Sequence, residues 1–198
     1  MSVEGHVAVS DAGILKYTGQ KRGRAGGGAR GPGGVAFRGM ENLQIRAARS
    51  SDIDRLLPLM AAYWVSDGIA GFDEVKVRRQ LQEFVSNPSY GCAWLAECGD
   101  VTAGYLVCTL VYSFEHGGLM AEIDELYVHA PWRSQGIGQQ LLAAARAALA
   151  ARACVSLQMQ VADDNDRAQR FYAQLGFRQK GGYRLWVAQL SDPGAPGA

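Results

Sequence analysis

The sequence predicts an α/β sandwich built on a mixed, mostly antiparallel sheet of about seven strands with four helices. Two observations predict it. The hydrophobic period switches between the strand and helix values in the order β-α-α-β-β-β-α-β-α-β-β. In addition, two glycine-bearing turns, Gly99-Asp100 and Gly181-Gly182, join neighbouring strand-like runs with hairpin chemistry.

Residues 1–39 show no hydrophobic period, and 9 of the 25 glycines lie between Gly19 and Gly39. Such a segment cannot bury enough apolar surface to offset its ordering entropy, so disorder is expected there. It has no continuous apolar core or cleavage site of a secretory signal. A basic tail and a targeting peptide are two readings of it. Met40, directly ahead of ENLQIRAARSSD, favours a third, an upstream start ahead of the true one.

A single domain is expected over 40–190. Leu43 to Ala47 alternates as a first strand, and Ser50, Ser51 and Asp52 offer caps for a helix from about Ile53 to Val65. Gly68 and Gly71 break the chain before a helix from about Asp73 to Ser86, which Asn87-Pro88 ends. Cys92–Cys98 and Val101–Val111 form a hairpin, and a polar connection, Ser113 to Gly118, leads to the next strand. After an Ala-rich helix at 139–151 come a strand at Val155–Val161, a helix at Asn165–Gln174, and strands at Phe177–Lys180 and Tyr183–Leu190. A frayed tail is expected over 191–198, with two prolines and two glycines.

The central stretch is DELYVHAPWRSQGIG, Asp124 to Gly138. A strand feeding a helix through a glycine-spaced turn builds an anion site, because the first N–H groups of a helix have no intrahelical partner and sit at the positive end of its dipole. Gly136 and Gly138 remove side chains that would hold a phosphate away, and Arg133 adds a bidentate cation. No Gly-Lys-Ser/Thr follows, so this is not a P-loop. Leu141 stands where the dinucleotide fingerprint needs its third glycine.

The pattern Arg133, Gly136, Gly138 resembles the acyl-CoA pyrophosphate loop of the GNAT superfamily of N-acetyltransferases, Arg/Gln-x-x-Gly-x-Gly/Ala. A second block, NDRAQRFYAQLGF from Asn165 to Phe177, is similar to that family's second signature. The resemblance implies an enzyme that moves an acetyl group from acetyl-CoA to a primary amine. It implies that the backbone of Leu126, Tyr127 and Val128 pairs with the pantetheine arm. The loop Arg133, Ser134, Gln135, Gly136, Ile137 and Gly138 would take the pyrophosphate. Asn165 would bind the pantetheine amide, and Tyr172 would protonate the departing thiolate, a role suited to an ordinary phenol of pKa about 10. Each has a plainer reading: Tyr172 as a core aromatic after Phe171, and Asn165 as the N-cap of its helix.

The amine must lose a proton, and the strand carries Glu122, Asp124 and Glu125. Period-two alternation places Glu122 and Asp124 on one face and Glu125 on the other. Family members with a similar arrangement use a carboxylate at the Asp124 position as base, which leaves Glu122 as its rival and Glu125 to bind substrate. The alternative is a solvated acidic strand end paired with Arg133 or another cation. His116 either lines the acceptor site or is simply exposed in its loop.

Charge is uneven. Residues 1–39 hold six basic and two acidic side chains, the remainder 14 basic and 17 acidic, and a mildly acidic domain argues against a nucleic-acid partner. No apolar run approaches the roughly 18 residues of a membrane helix. Cys92, Cys98, Cys108 and Cys154 show no metal-site spacing, so buried reduced thiols, no metal and a cytoplasmic location are expected. The expected partner is a small cationic amine such as a polyamine, an amino-acid derivative or an aminoglycoside, and a homodimer is compatible with the sequence. The alternatives are a protein N-terminal or lysine acetyltransferase, a non-catalytic acyl-CoA-binding module, and a nucleic-acid-linked modifier tethered by the basic tail.

Overall fold

The computed structural model describes residues 6–9, 15–18, 42–181, 186, 188 and 190. The chain divides into two compact units, residues 21–160 and residues 1–20 with 161–198. The expectation of disorder over 1–39 falls mainly outside the described residues. Within that segment β1 (His6–Val9) and β2 (Leu15–Thr18) pair antiparallel.

The larger unit runs β3 (Leu43–Ala47), α1 (Ile53–Asp67), α2 (Glu74–Ser86), β4 (Gly91–Cys98), β5 (Val101–Ser113), β6 (Gly118–Val128), α3 (Ile137–Ala151) and β7 (Ser156–Met159). The five strands form one sheet in the order β3-β4-β5-β6-β7, antiparallel except for the parallel β6–β7 pair. A crossover through α3 makes that parallel pair possible, since parallel neighbours need a long connection.

Odd-numbered residues of β4 and β5 and the end of β6 supply Ala93, Leu95, Tyr105, Val107 and Tyr127 to a core shared with Ile53, Leu56 and Leu57 of α1 and Val77 and Leu81 of α2. On α3, Ile137, Leu141, Leu142, Ala145 and Leu149 recur at helical spacing and are all buried, and that helix packs on β3 to β6. The start of α1 is tied to the sheet by charge. Arg46 of β3 bonds both oxygens of buried Asp52 at 2.7 Å and Glu97 of β4 at 2.6 and 2.9 Å. Arg55 of α1 also bonds Glu97.

The smaller unit contains α4 (Asp166–Gln174). The strand expected at Phe177–Lys180 is not formed: those residues are irregular. The other strand expected here, Tyr183–Leu190, lies largely outside the described residues, and Gly182 and the tail 191–198 lie wholly outside them. The thiols also differ from expectation. Cys98 and Cys108 are buried, but Cys92 and Cys154 are only half-buried, and Cys92 accepts from Arg152 Nη1 at 2.8 Å. Among the described residues no helix is long and apolar enough to cross a membrane.

Candidate active site

The strand β6 carries the expected catalytic carboxylates, but not in the alternation the sequence predicts. Its register with β5 slips between Val107 and Cys108: Val107 faces Glu125, Cys108 faces Ile123, and Asp124 is left over as a β-bulge. One extra residue shifts every later side chain to the other face. Glu122, opposite Thr109, therefore shares a face with Glu125, opposite Val107, on the side where Tyr105 and Tyr127 pack against α1. The prediction that Glu122 and Asp124 oppose Glu125 is thus corrected by the bulge.

The three acids also differ in burial. Glu122 is 2% exposed and Glu125 8% exposed, while Asp124 is half-buried between them. Glu122 accepts from Gln158 Nε2 at 3.2 Å. Glu125 accepts the Trp64 indole N–H on Oε1 at 3.0 Å and the Tyr105 hydroxyl on Oε2 at 2.7 Å. Burial, and then the nearby charge of Glu125, push the Tyr105 phenol well above its ordinary pKa, so it remains a donor. Sequence reasoning missed Trp64 and Tyr105. They sit on different elements, and only the sheet register brings them to one carboxylate.

Among the described residues the strand pairing on the far edge of β6 ends at Ile123. β7 pairs only with Met120 to Ile123, so Leu126 to Val128 have a strand on the β5 side alone among the described residues. The chain then turns through Ala130–Trp132 into the glycine loop. Here Ser134 and Gly136 adopt left-handed backbone, φ 64° and 80°, a conformation that costs a side-chain-bearing residue about 1–2 kcal/mol. A Cβ on Gly136 would meet no atom within 4 Å, so the conformation and not crowding calls for glycine.

Gly136, which has no side chain to bond the first turn, caps α3, and that turn contains no acid. The N–H groups of Ile137, Gly138 and Gln139 thus have no intrahelical acceptor. Arg133 is turned back across the end of β6, its Nε on the Val128 carbonyl at 2.8 Å and its guanidinium 5.5 Å from the Tyr127 ring centre. That side chain braces the turn, and its Nη groups are the part able to meet an anion.

His116 lies at the opposite end of β6. Its Nδ1 is 3.0 Å from Ser113 Oγ, which also accepts its backbone N–H. At about 3.3 Å per residue, Gly118 stands about 13 Å along the strand from Glu122 and about 23 Å from Glu125, so the structure does not bring His116 to the buried carboxylates.

Asn165 and Tyr172 belong to the smaller unit. Asn165 caps α4, its Oδ1 accepting the Ala168 N–H at 3.2 Å. Tyr172 lies between Phe171 and Phe177, ring centres 5.1 and 5.6 Å away. The Leu-Gly-Phe that follows is a helix stop: Gly176 is left-handed, its N–H reaches the Ala173 carbonyl and that of Phe177 the Tyr172 carbonyl.

Residues 54–177, well over half of the chain, match the model of the Acetyltransferase (GNAT) family. Solved structures agree on the fold. An integron cassette protein, HFX_CASS3, from the mobile metagenome of Cole Harbour Salt Marsh is 25% identical over 76% of this chain and 92% of its own, with a TM-score of 0.67. A possible acetyltransferase from Clostridium difficile 630 is 17% identical over 76% and 99%, TM-score 0.68. An aminoglycoside N-acetyltransferase, AAC(6')-Iy, solved in complex with CoA, is 15% identical over 75% and 95%, TM-score 0.66.

Proposed function

The chain belongs to the acetyltransferase (GNAT) family, and on that premise we propose that it transfers an acetyl group from acetyl-CoA to a primary amine of a small cationic acceptor. The observation that carries the reading is the start of α3. Its first turn has no N-cap side chain and no acid, and the turn before it leaves a strand end that, among the described residues, has a strand on one edge only. Main-chain N–H groups from Gln135 to Gly138 take the pyrophosphate, assisted by Arg133 and Ser134, because a helix N-terminus is a ready anion site. The extended backbone of Leu126, Tyr127 and Val128 takes the pantetheine amides as an added edge. The Asn165 side-chain NH₂ remains a donor for the same arm while its Oδ1 caps α4.

The reaction joins the amine nitrogen to the thioester carbonyl carbon and breaks the C–S bond. A free alkylammonium has a pKa near 10 and must first lose a proton. Asp124 takes it, directly or through water. Its bulged position and greater exposure favour it over Glu122, which is almost fully buried. Tyr172 gives its hydroxyl proton to the departing thiolate. The CoA-bound aminoglycoside acetyltransferase among the similar structures supports the small-amine class, as does the acidity of β6. With no membrane-crossing helix described, the proposed location is the cytoplasm.

Calorimetry with CoA tests the carrying observation. Wild-type protein should bind, and Gly136→Val, forced against its backbone conformation and over the exposed N–H groups, should bind at least about a hundredfold more weakly. Equal affinity for the two proteins would remove the anion site. Tyr172→Phe should lower kcat by about two orders of magnitude at little change in acetyl-CoA affinity; an unchanged rate would take that hydroxyl out of the mechanism.

A further inference from the structure

The end of β6 presents an uneven edge, and Arg133 makes it so. The His129 N–H bonds the Ala103 carbonyl at 2.9 Å, one place beyond the Gly104–Val128 pair. In an antiparallel ladder this makes Gly104 and Val128 a pair that exchange no bonds with each other. A Cβ on Gly104 would come 3.2 Å from the Val128 Cα, the close approach that such pairs have. The N–H and C=O of Val128 therefore point away from β5, and by period two so do those of Leu126. Among the described residues no strand pairs on that side. The Val128 carbonyl is nevertheless occupied: Arg133 Nε donates to it at 2.8 Å, with the guanidinium held 5.5 Å from the Tyr127 ring centre. Read from the loop, the edge thus offers a covered carbonyl, then the Val128 N–H, then the Leu126 C=O and N–H.

Pantetheine has a matching order. From its phosphate end it begins with a branched apolar segment carrying a hydroxyl, and its amides follow. An apolar segment laid over a bare carbonyl would strip off its water and leave an acceptor unpaired, which is destabilising. We propose that Arg133 is a positioning residue for the pantetheine arm: its Nε covers the Val128 carbonyl where the branched segment passes, so that the amides meet the Val128 N–H and the Leu126 groups. The inference rests on the acetyltransferase reading above and adds to the pyrophosphate contact, which the Nη groups can still make. It assigns the role to a donor at the Nε place and not to positive charge.

Calorimetry on the full-length protein with CoA, and with pantetheine, which keeps the arm and lacks the pyrophosphate, tests this. Arg133→Met removes the donor and should weaken both ligands about tenfold, as an unpaired desolvated carbonyl allows. Arg133→Gln carries a side-chain N–H donor as many bonds from Cα as Nε, without the charge. Its pantetheine affinity should return to within about twofold of wild type, while its CoA affinity stays lower for want of the cation. If Arg133→Met does not fold, Arg133→Lys, which keeps the charge and has carbon at the Nε place, should show the same loss on pantetheine. A phosphate ligand alone would lower CoA affinity in every variant and leave pantetheine unchanged. A brace of the fold alone would lower the melting temperature and leave pantetheine affinity of the folded protein unchanged. Either result overturns the proposal, as does failure of Arg133→Gln to restore pantetheine binding, or a wild type that binds CoA but not millimolar pantetheine. Absent CoA binding in the wild type sinks the transferase reading itself, whereas normal CoA binding with pantetheine indifferent to Arg133 sinks only this inference.

Discussion

The helices of this protein begin in two ways. Among the described residues two are capped by a side chain: α2 starts at Asp73, which accepts the Lys76 N–H at 3.1 Å, and α4 starts at Asn165; α1 has no side-chain cap bond, but Asp54 stands in its first turn and Asp52, just before it, accepts the Arg49 N–H and two bonds from Arg46. The start of α3 has a glycine, no side-chain cap and no acid in its first turn. A capped helix start has its positive end satisfied from within, whereas a bare one keeps unpaired N–H groups and a favourable field for an outside anion. The difference separates starts that stabilise the fold from the one we assign to coenzyme A, and substitutions at each start should affect different measurements.

The largest effect is expected at α1. Arg46→Met would leave Asp52 and Glu97 with their charges partly buried and their strongest cation gone. Breaking such a network typically costs about 3–5 kcal/mol, read as a lower urea midpoint at unchanged slope, with CoA affinity of the folded protein within about twofold. Loss of CoA binding instead would make this start part of the ligand site and erase the distinction. Acid should mimic the substitution. The hydrogen bonds from Arg46 hold Asp52 and Glu97 below their ordinary values of 3.8 and 4.5. A carboxyl group depressed on folding stabilises above its unfolded pKa and loses that contribution as pH falls through the folded one. Stability should therefore be flat above about pH 5 and fall below it, and Arg46→Met should show a shallower acid limb.

Turning α3 into a helix of the other kind comes next. Gln139→Glu puts an acid in its first turn, much as Glu74 stands in that of α2. The fold should gain a few tenths of a kcal/mol from the dipole, while CoA affinity should fall about tenfold, ~1.4 kcal/mol, most visibly at low salt. The opposite trade belongs to Asp73→Ala. Removing that cap should cost about 1 kcal/mol, a few degrees in Tm for a chain of this size, and leave CoA binding untouched. If both substitutions changed only stability, the bare start of α3 would be no more than an uncapped helix.

Much of this contrast was legible in the sequence. Asp52, Asp73 and Asn165 are good capping residues directly ahead of amphipathic runs, and the two glycines after Arg133 mark a start of another kind. Element order followed from hydrophobic period for the same reason, since each run buries one face. The sheet register was not legible. The slip at Asp124 depends on how β6 sits against β5, and a single skipped residue inverted the predicted sharing of faces among Glu122, Asp124 and Glu125. The grip of Trp64 and Tyr105 on Glu125 was hidden likewise, because it joins residues 61 and 20 positions apart through tertiary packing. Arg133 was read as a phosphate ligand from its type, yet its Nε is occupied by the Val128 carbonyl, a bond that only the turn's geometry creates.

The smallest effect should come from Ser134, and it decides whether the loop works through its backbone. Ser134 adopts left-handed backbone at φ 64°, which glycine tolerates without the Cβ penalty of about 1–2 kcal/mol. Glycine also gives the unfolded chain about 0.5–1 kcal/mol more entropy to lose. These terms oppose, so Ser134→Gly should change stability by less than about 1 kcal/mol. If main-chain N–H groups hold the pyrophosphate, the lost hydroxyl matters little and CoA affinity should stay within about twofold of wild type. A tenfold loss in the same calorimetric titration would mean that the hydroxyl itself grips the phosphate. The bare start of α3 would then be supplemented by a side chain after all, as the starts of α2 and α4 are.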